Sequence, residues 1–193
     1  MRAYGARAGE DVELWGATGL LHDADYERYP DPETGHPRII IAELDRRDAP
    51  PAMVRAIATH ADYLGVEAEA PIELTLRAVD ELSGFIVACA MVRPERLHGL
   101  SAKSVRKKMR QPSFAAAVDR DELEATAAAL GVDFDEHVAF VAAALEGQAD
   151  ALGLDVRNAD PDDPEVPEAL RYTASGQPQP NSAAVIRKQR DSH

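Results

Sequence analysis

Apolar residues recur along this chain at helical spacing, and convincing strand alternation is absent. Leu14, Ala17, Leu20 and Leu21 share one face of a segment that starts near Asp11, a suitable N-cap, and ends around His22 and Asp23. Tyr26 to Pro37 holds three prolines and Gly35, which predicts a loop, and Pro37 is placed to open the next helix. His36 falls at that junction. Ile39 to Leu44 predicts a short helix and Asp48-Ala49-Pro50 a turn. Pro51 to His60 predicts another helix, with Met53, Val54 and Ile57 facing inward. After a loop through Gly65, Pro71 opens a long helix carrying Ile72, Leu74, Leu76, Val79, Leu82, Phe85 and Ile86 on several sides. That breadth predicts the most buried helix, and Asp80 in its middle is costly unless paired or ligated.

Beyond Pro94, Ser101 to Arg110 reads as a basic helix. Asp119 or Asp121 begins a further one through Leu130, stopped by Gly131, and Asp133 or Asp135 begins a last one through Leu152. The expected fold is all-α, a helical bundle over residues 1–154. Residues 155–193 are rich in proline, acids and polar groups and are expected to form a disordered tail, because little apolar surface offsets the entropy of ordering them.

Composition narrows the function classes. Against 21 Lys and Arg stand 34 Asp and Glu, a formal charge of -13, which argues against binding duplex nucleic acid or an anionic membrane. The single cysteine, Cys89, lies in an apolar run and reads as a small buried hydrophobe, so neither an internal disulfide nor a cysteine zinc site is expected. With no signal-peptide core and no apolar run near the ~20 residues of a membrane span, the expected location is cytoplasmic. Homo-oligomerisation stays open.

Candidate chemistry gathers at helix ends and on the long buried helix. His22, Asp23, His36, His60 and Asp80 are all of types that ligate divalent metals, and a carboxylate has two oxygens with which to bridge two ions. Asp23 is the natural bridge. Asp25 could orient a second-shell histidine or a water, or remain a solvated loop carboxylate. His98 and His193 read as surface residues, and His137 as a packing or capping residue near the start of the last helix. Lys103 and Lys107 stand at i,i+4 on the basic helix and repel unless an anion or acid is near, which favours a phosphate role.

The segments WGATGLLHDADYERY (15–29), THADYL (59–64), AVDELSGF (78–85), VRP (92–94) and KSVRKK (103–108) make this chain resemble the HD-domain superfamily of metal-dependent phosphohydrolases. The resemblance is close to one uncharacterised bacterial branch and spans the predicted domain. It implies His22 and Asp23 as the central metal-binding pair, with Asp23 also catalytic, and Asp80 as the distal ligand. His36 and His60 match the extra histidines of two-metal members. Arg93, Lys103, Lys107 and Lys108 would hold phosphate. The implied cofactor is one or two divalent ions (Mn, Fe, Zn, Mg or Ni). The implied activity is hydrolysis of a phosphate ester, in a nucleotide or another small phosphorylated metabolite, by a metal-activated water.

Two departures bear on this. The Gly-Tyr-Pro element of the cyclic-dinucleotide phosphodiesterase branch is not present, which weighs against that substrate class. The superfamily's first histidine belongs to a helix preceding the pair, and no histidine precedes His22. A recorded start downstream of the true one is the preferred explanation. The alternatives are a non-catalytic binding or regulatory domain that has lost a ligand and, on the same ligand order, a di-iron oxygenase.

Overall fold

A computed structural model describes residues 1–155, which form helices joined by turns and loops, with no strand among them. The chain divides into two compact units, the first running from Met1 to Asp80 and the second beginning at Glu81. Among the described residues no helix is long and apolar enough to cross a membrane.

The first unit contains α1 (Arg2–Ala8), α2 (Val12–Leu21), α3 (Arg38–Arg46), α4 (Pro51–Thr59) and a single 3-10 turn at Asp62–Leu64. It also holds the first half of α5 (Pro71–Met91). Asp11 caps α2 as its sequence predicts, its Oδ1 accepting from the backbone N–H groups of Glu13 and Leu14 at 3.0 Å each. Helix α1 lies close along α2, where a Cβ on Gly5 would come within 3.1 Å of the Trp15 side chain. Pro37 is the residue before α3 and Pro51 is the first residue of α4, the position where a missing N–H costs nothing.

Ile40 and Leu44 of α3 pack with Met53 and Ile57 of α4, and Leu14, Ala17 and Leu21 of α2 lie against them. This apolar layer joins the helices whose ends carry the candidate ligands. Burying side chains of this size contributes about 1.5–3 kcal/mol each. The start of α5 is fixed by Glu73, which is nearly fully buried. Its Oε2 accepts from the N–H groups of Glu69 and Ala70, and its Oε1 pairs with Arg55 at 2.8 Å. A buried acid is tolerated there because each oxygen has a donor.

In the second unit α5 continues to Met91 and is followed by α6 (Ala102–Met109), α7 (Arg120–Ala129) and α8 (Phe134–Glu146). Ser101, Asp119 and Asp133 supply the N-caps through their side chains. Its core includes Leu82, Phe85, Ile86, Leu97, Val105, Leu123 and Val138. Cys89 is buried, and burial pushes its thiol pKa up to about 12, so it behaves as an inert hydrophobe.

One predicted boundary is wrong. The last helix does not run through Leu152 but stops at Glu146, with Gly147 as its C-cap and turns through Gly153 in the left-handed region at φ 67°. The apolar spacing of Ala149, Leu152 and Leu154 mimics a further helical turn, but Gly147 is a poor helix former and the chain beyond it continues in turns. The expected tail falls, apart from Asp155, outside the described residues.

Candidate metal centre

His22 is the C-cap of α2, and its N–H still bonds to the carbonyl of Thr18 at 3.1 Å, so its ring leaves the helix from a fixed position. Asp23 follows directly in a run of turns. The loop beyond is tied at its neck. Asp31 Oδ1 accepts from the N–H groups of Glu33 and Thr34, which hold its pKa below the usual carboxylate value. The N–H of His36 donates to the carbonyl of Tyr29 at 2.7 Å. Gly35 has no alternative in this neck, because a Cβ there would lie 2.2 Å from the Tyr29 carbonyl oxygen. His60 is the C-cap of α4, and Asp80 stands on α5. All five residues belong to the first unit.

Their side chains meet. Asp23, His36 and His60 offer ligand atoms within 4.8 Å of one another, and so do His22, Asp23 and Asp80. The two triads share Asp23. One of its oxygens lies 3.4 Å from His36 Nε2 and 3.6 Å from His60 Nε2, and the other lies 3.5 Å from His22 Nε2. His22 Nε2 also reaches Asp80 Oδ1 at 3.1 Å.

The far side of each ring explains why the Nε2 atoms converge. His22 Nδ1 lies 2.9 Å from the carbonyl oxygen of Gly19, and His60 Nδ1 contacts the carbonyl of Ile57. A carbonyl can only accept, so Nδ1 must carry the hydrogen in both rings. His36 Nδ1 faces Asp25 Oδ1 at 2.7 Å, and a carboxylate imposes the same tautomer. In the neutral state all three rings therefore present a lone pair at Nε2. His36 Nε2 and His60 Nε2 stand 3.1 Å apart, two lone pairs face to face. Such an arrangement calls for a cation between the rings, either a proton or a metal ion.

Electrostatics point the same way. Burial works to lower the pKa of His22, but the hydrogen bond and charge of Asp80, the charge of Asp23 and the Gly19 carbonyl outweigh it and push it up to about 9. Burial works to raise the pKa of Asp23, yet the neighbouring imidazoles of His60, His22 and His36 hold it below the usual range. The donor set of imidazole and carboxylate suits zinc, iron, manganese or nickel. The residues present thus fit one or two divalent ions. The Asp23 side chain is 43% exposed, whereas those of His36 and His60 are 8% and 6% exposed, so the cluster opens to solvent at the shared carboxylate.

Asp25 resolves as the orienting residue rather than a solvated one. It is 5% exposed, and its second oxygen accepts from the N–H of Ile40 at 2.8 Å, tying it to the first turn of α3. Two tyrosines also hold His36 in place. Tyr63 donates its hydroxyl to the His36 carbonyl at 2.7 Å, and the Tyr26 ring stands edge-on to His36 with centroids 5.1 Å apart. The run HADY at 60–63 holds the signal for Tyr63, but only the short turn after α4 aims it back.

The predicted phosphate-binding residues belong to the second unit. Arg93 directs its guanidinium at the carbonyls of Arg96 and His98, and Lys108 lies over the Phe114 ring with its nitrogen 4.7 Å from the centroid. Lys103 and Lys107 are exposed on α6. His98 is a surface residue beside Glu146, and His137 is buried in α8. His193 lies outside the described residues.

No family model matches this chain, and no curated protein or solved structure matches it either.

Proposed function

We propose that this chain is a metal-dependent hydrolase of phosphate esters, centred on Asp23, of the kind its resemblance to the HD-domain superfamily implies. One observation carries the reading. Three imidazoles, each with Nδ1 tied to an oxygen acceptor, turn their Nε2 atoms toward one carboxylate. His36, His60 and Asp23 would hold one ion, and His22, Asp80 and Asp23 a second. Divalent ions at such a centre supply a water of lowered pKa and Lewis-acid stabilisation of charge on a phosphoryl oxygen.

The chain's own residues set the conditions for this chemistry. Asp25 fixes the His36 ring so that Nε2 stays free to ligate, and the Gly19 and Ile57 carbonyls do the same for His22 and His60. The exposed side of Asp23 makes the cluster reachable from solvent, and its two oxygens give both triads a common charge.

The test is hydrolysis of p-nitrophenyl phosphate, bis-p-nitrophenyl phosphate and a nucleotide panel after loading with Mn, Fe, Zn, Mg or Ni in turn. Metal-dependent release of product that is lost in Asp23→Asn supports the reading. Metal binding accompanied by oxygen consumption and no hydrolysis would favour the oxygenase alternative. Metal binding with neither reaction would favour the binding or regulatory one.

A further inference from the structure

The two triads share Asp23 but differ in every other respect. In one, His36 and His60 add two imidazoles, with side chains 8% and 6% exposed. In the other, His22 adds one imidazole at 15% and Asp80 a second carboxylate at 32%. Their supports differ as well. His36 is held at four points: its backbone N–H by the Tyr29 carbonyl, its own carbonyl by the Tyr63 hydroxyl, its Nδ1 by Asp25, and its ring edge by Tyr26. The segment around His60 is held by Arg77, which donates to the Thr59 carbonyl at 3.0 Å and pairs with Asp62 at 2.6 Å. His22 is fixed by the carbonyls of Gly19 and Thr18, but the Asp80 carboxylate, among the described residues, is bonded only to His22 Nε2.

We infer that the centre is asymmetric, a His36–His60 half that retains one divalent ion and a His22–Asp80 half that exchanges a second. This rests on the metal-centre reading above. Two physical arguments carry it. Ligands already fixed by second-shell bonds lose less freedom when they bind, and the carboxylate behind His36 holds its ring with Nε2 turned to the cluster. Nitrogen-rich, water-poor surroundings retain borderline ions such as zinc or iron, whereas a half-exposed second carboxylate, which only the His22–Asp80 half adds to the shared one, suits the harder, faster-exchanging manganese or magnesium. Asp25 is on this account a positioning residue for the retained ion and has no direct part in holding the other.

The experiment uses the whole chain and metal alone. Metal-stripped protein is dialysed against a graded series of buffered free Zn²⁺, and bound metal per chain is counted by mass spectrometry for wild type, Asp25→Asn, Tyr63→Phe and Asp80→Asn. Wild type should fill in two separated steps. Asp80→Asn should lose the weaker step and keep the tighter one. Asp25→Asn should weaken the tighter step by ~10- to 100-fold and leave the weaker in place, a split that general unfolding would not produce. Tyr63→Phe should move the tighter step in the same direction by less, and it serves where Asp25→Asn does not fold. A single step in wild type, or loss of the tighter step in Asp80→Asn, would overturn the asymmetry while leaving the metal centre standing. A wild-type chain that binds no ion would overturn both.

Discussion

The cluster around Asp23 and the basic face of α6 both stand out in the sequence, one by its histidines and the other by its lysines. They differ in how their side chains are held. At the cluster each histidine is anchored through Nδ1, and the anchoring atom belongs to a buried or helical segment. On α6, Arg106 is drawn into pairs with Glu124 and Asp135 and lies over the Phe134 ring, while Lys103 and Lys107 point to solvent. The first arrangement spends protein contacts on presenting free ligand atoms. In the second, the charge that is structurally held is held for α7 and α8. Pre-orientation separates a site from a charged surface better than residue type does.

The comparison breaks most readily beneath the cluster. Ile57 is fully buried between α4 and its neighbours, and its carbonyl anchors His60. Ile57→Ala should cost about 2–5 kcal/mol of stability, read by thermal or denaturant unfolding, and should lower metal retention as well. Gly35→Ala comes next. Its new Cβ would press on the carbonyl oxygens of Tyr29 and Asp31, which are backbone atoms and cannot swing aside, so the neck that carries His36 must shift. A loss of ~1–3 kcal/mol is expected, together with weaker metal binding. Retained stability with full metal content in either variant would show that the scaffold does not set the ligands.

The smallest effect belongs to α6. Lys103→Ala and Lys107→Ala should leave metal content unchanged and stability within ~0.5 kcal/mol of the parent. The phosphate role expected from the sequence adds that KM for a phosphorylated substrate rises by ~10-fold in either variant, which is about 1.4 kcal/mol of lost binding. If KM stays put, the lysines are a solvated face.

Much of the first unit was legible because its signals are local. Asp11 as a cap, Pro37 and Pro51 at helix starts, and three prolines with Gly35 in one loop each act within a few residues, and the helices begin and end where those residues dictate. The grouping of His22, Asp23, His36, His60 and Asp80 was proposed from residue type, position at helix ends and family resemblance. Their distances follow from the packing of α2, α3 and α4 through Ile40, Leu44, Met53 and Ile57, which no spacing rule encodes. The anchors were harder to read. Gly19 and Ile57 act through backbone carbonyls, to which sequence is blind, and Tyr63 acts across 27 positions. Hydrophobic spacing continues past the end of α8 at Glu146, so spacing alone does not locate that end; Gly147, its C-cap, is the local signal.

The central claim is that Asp23 holds divalent metal at the meeting point of three imidazoles. Its most direct test is metal content per chain after loading with Mn²⁺ and removal of free ion, compared between wild type and Asp23→Asn, with folding confirmed by circular dichroism. Because Asp23 contributes to both triads, the account predicts bound metal in wild type and its near-complete loss in the folded variant. Equal metal in the two proteins, or none in either, would contradict it.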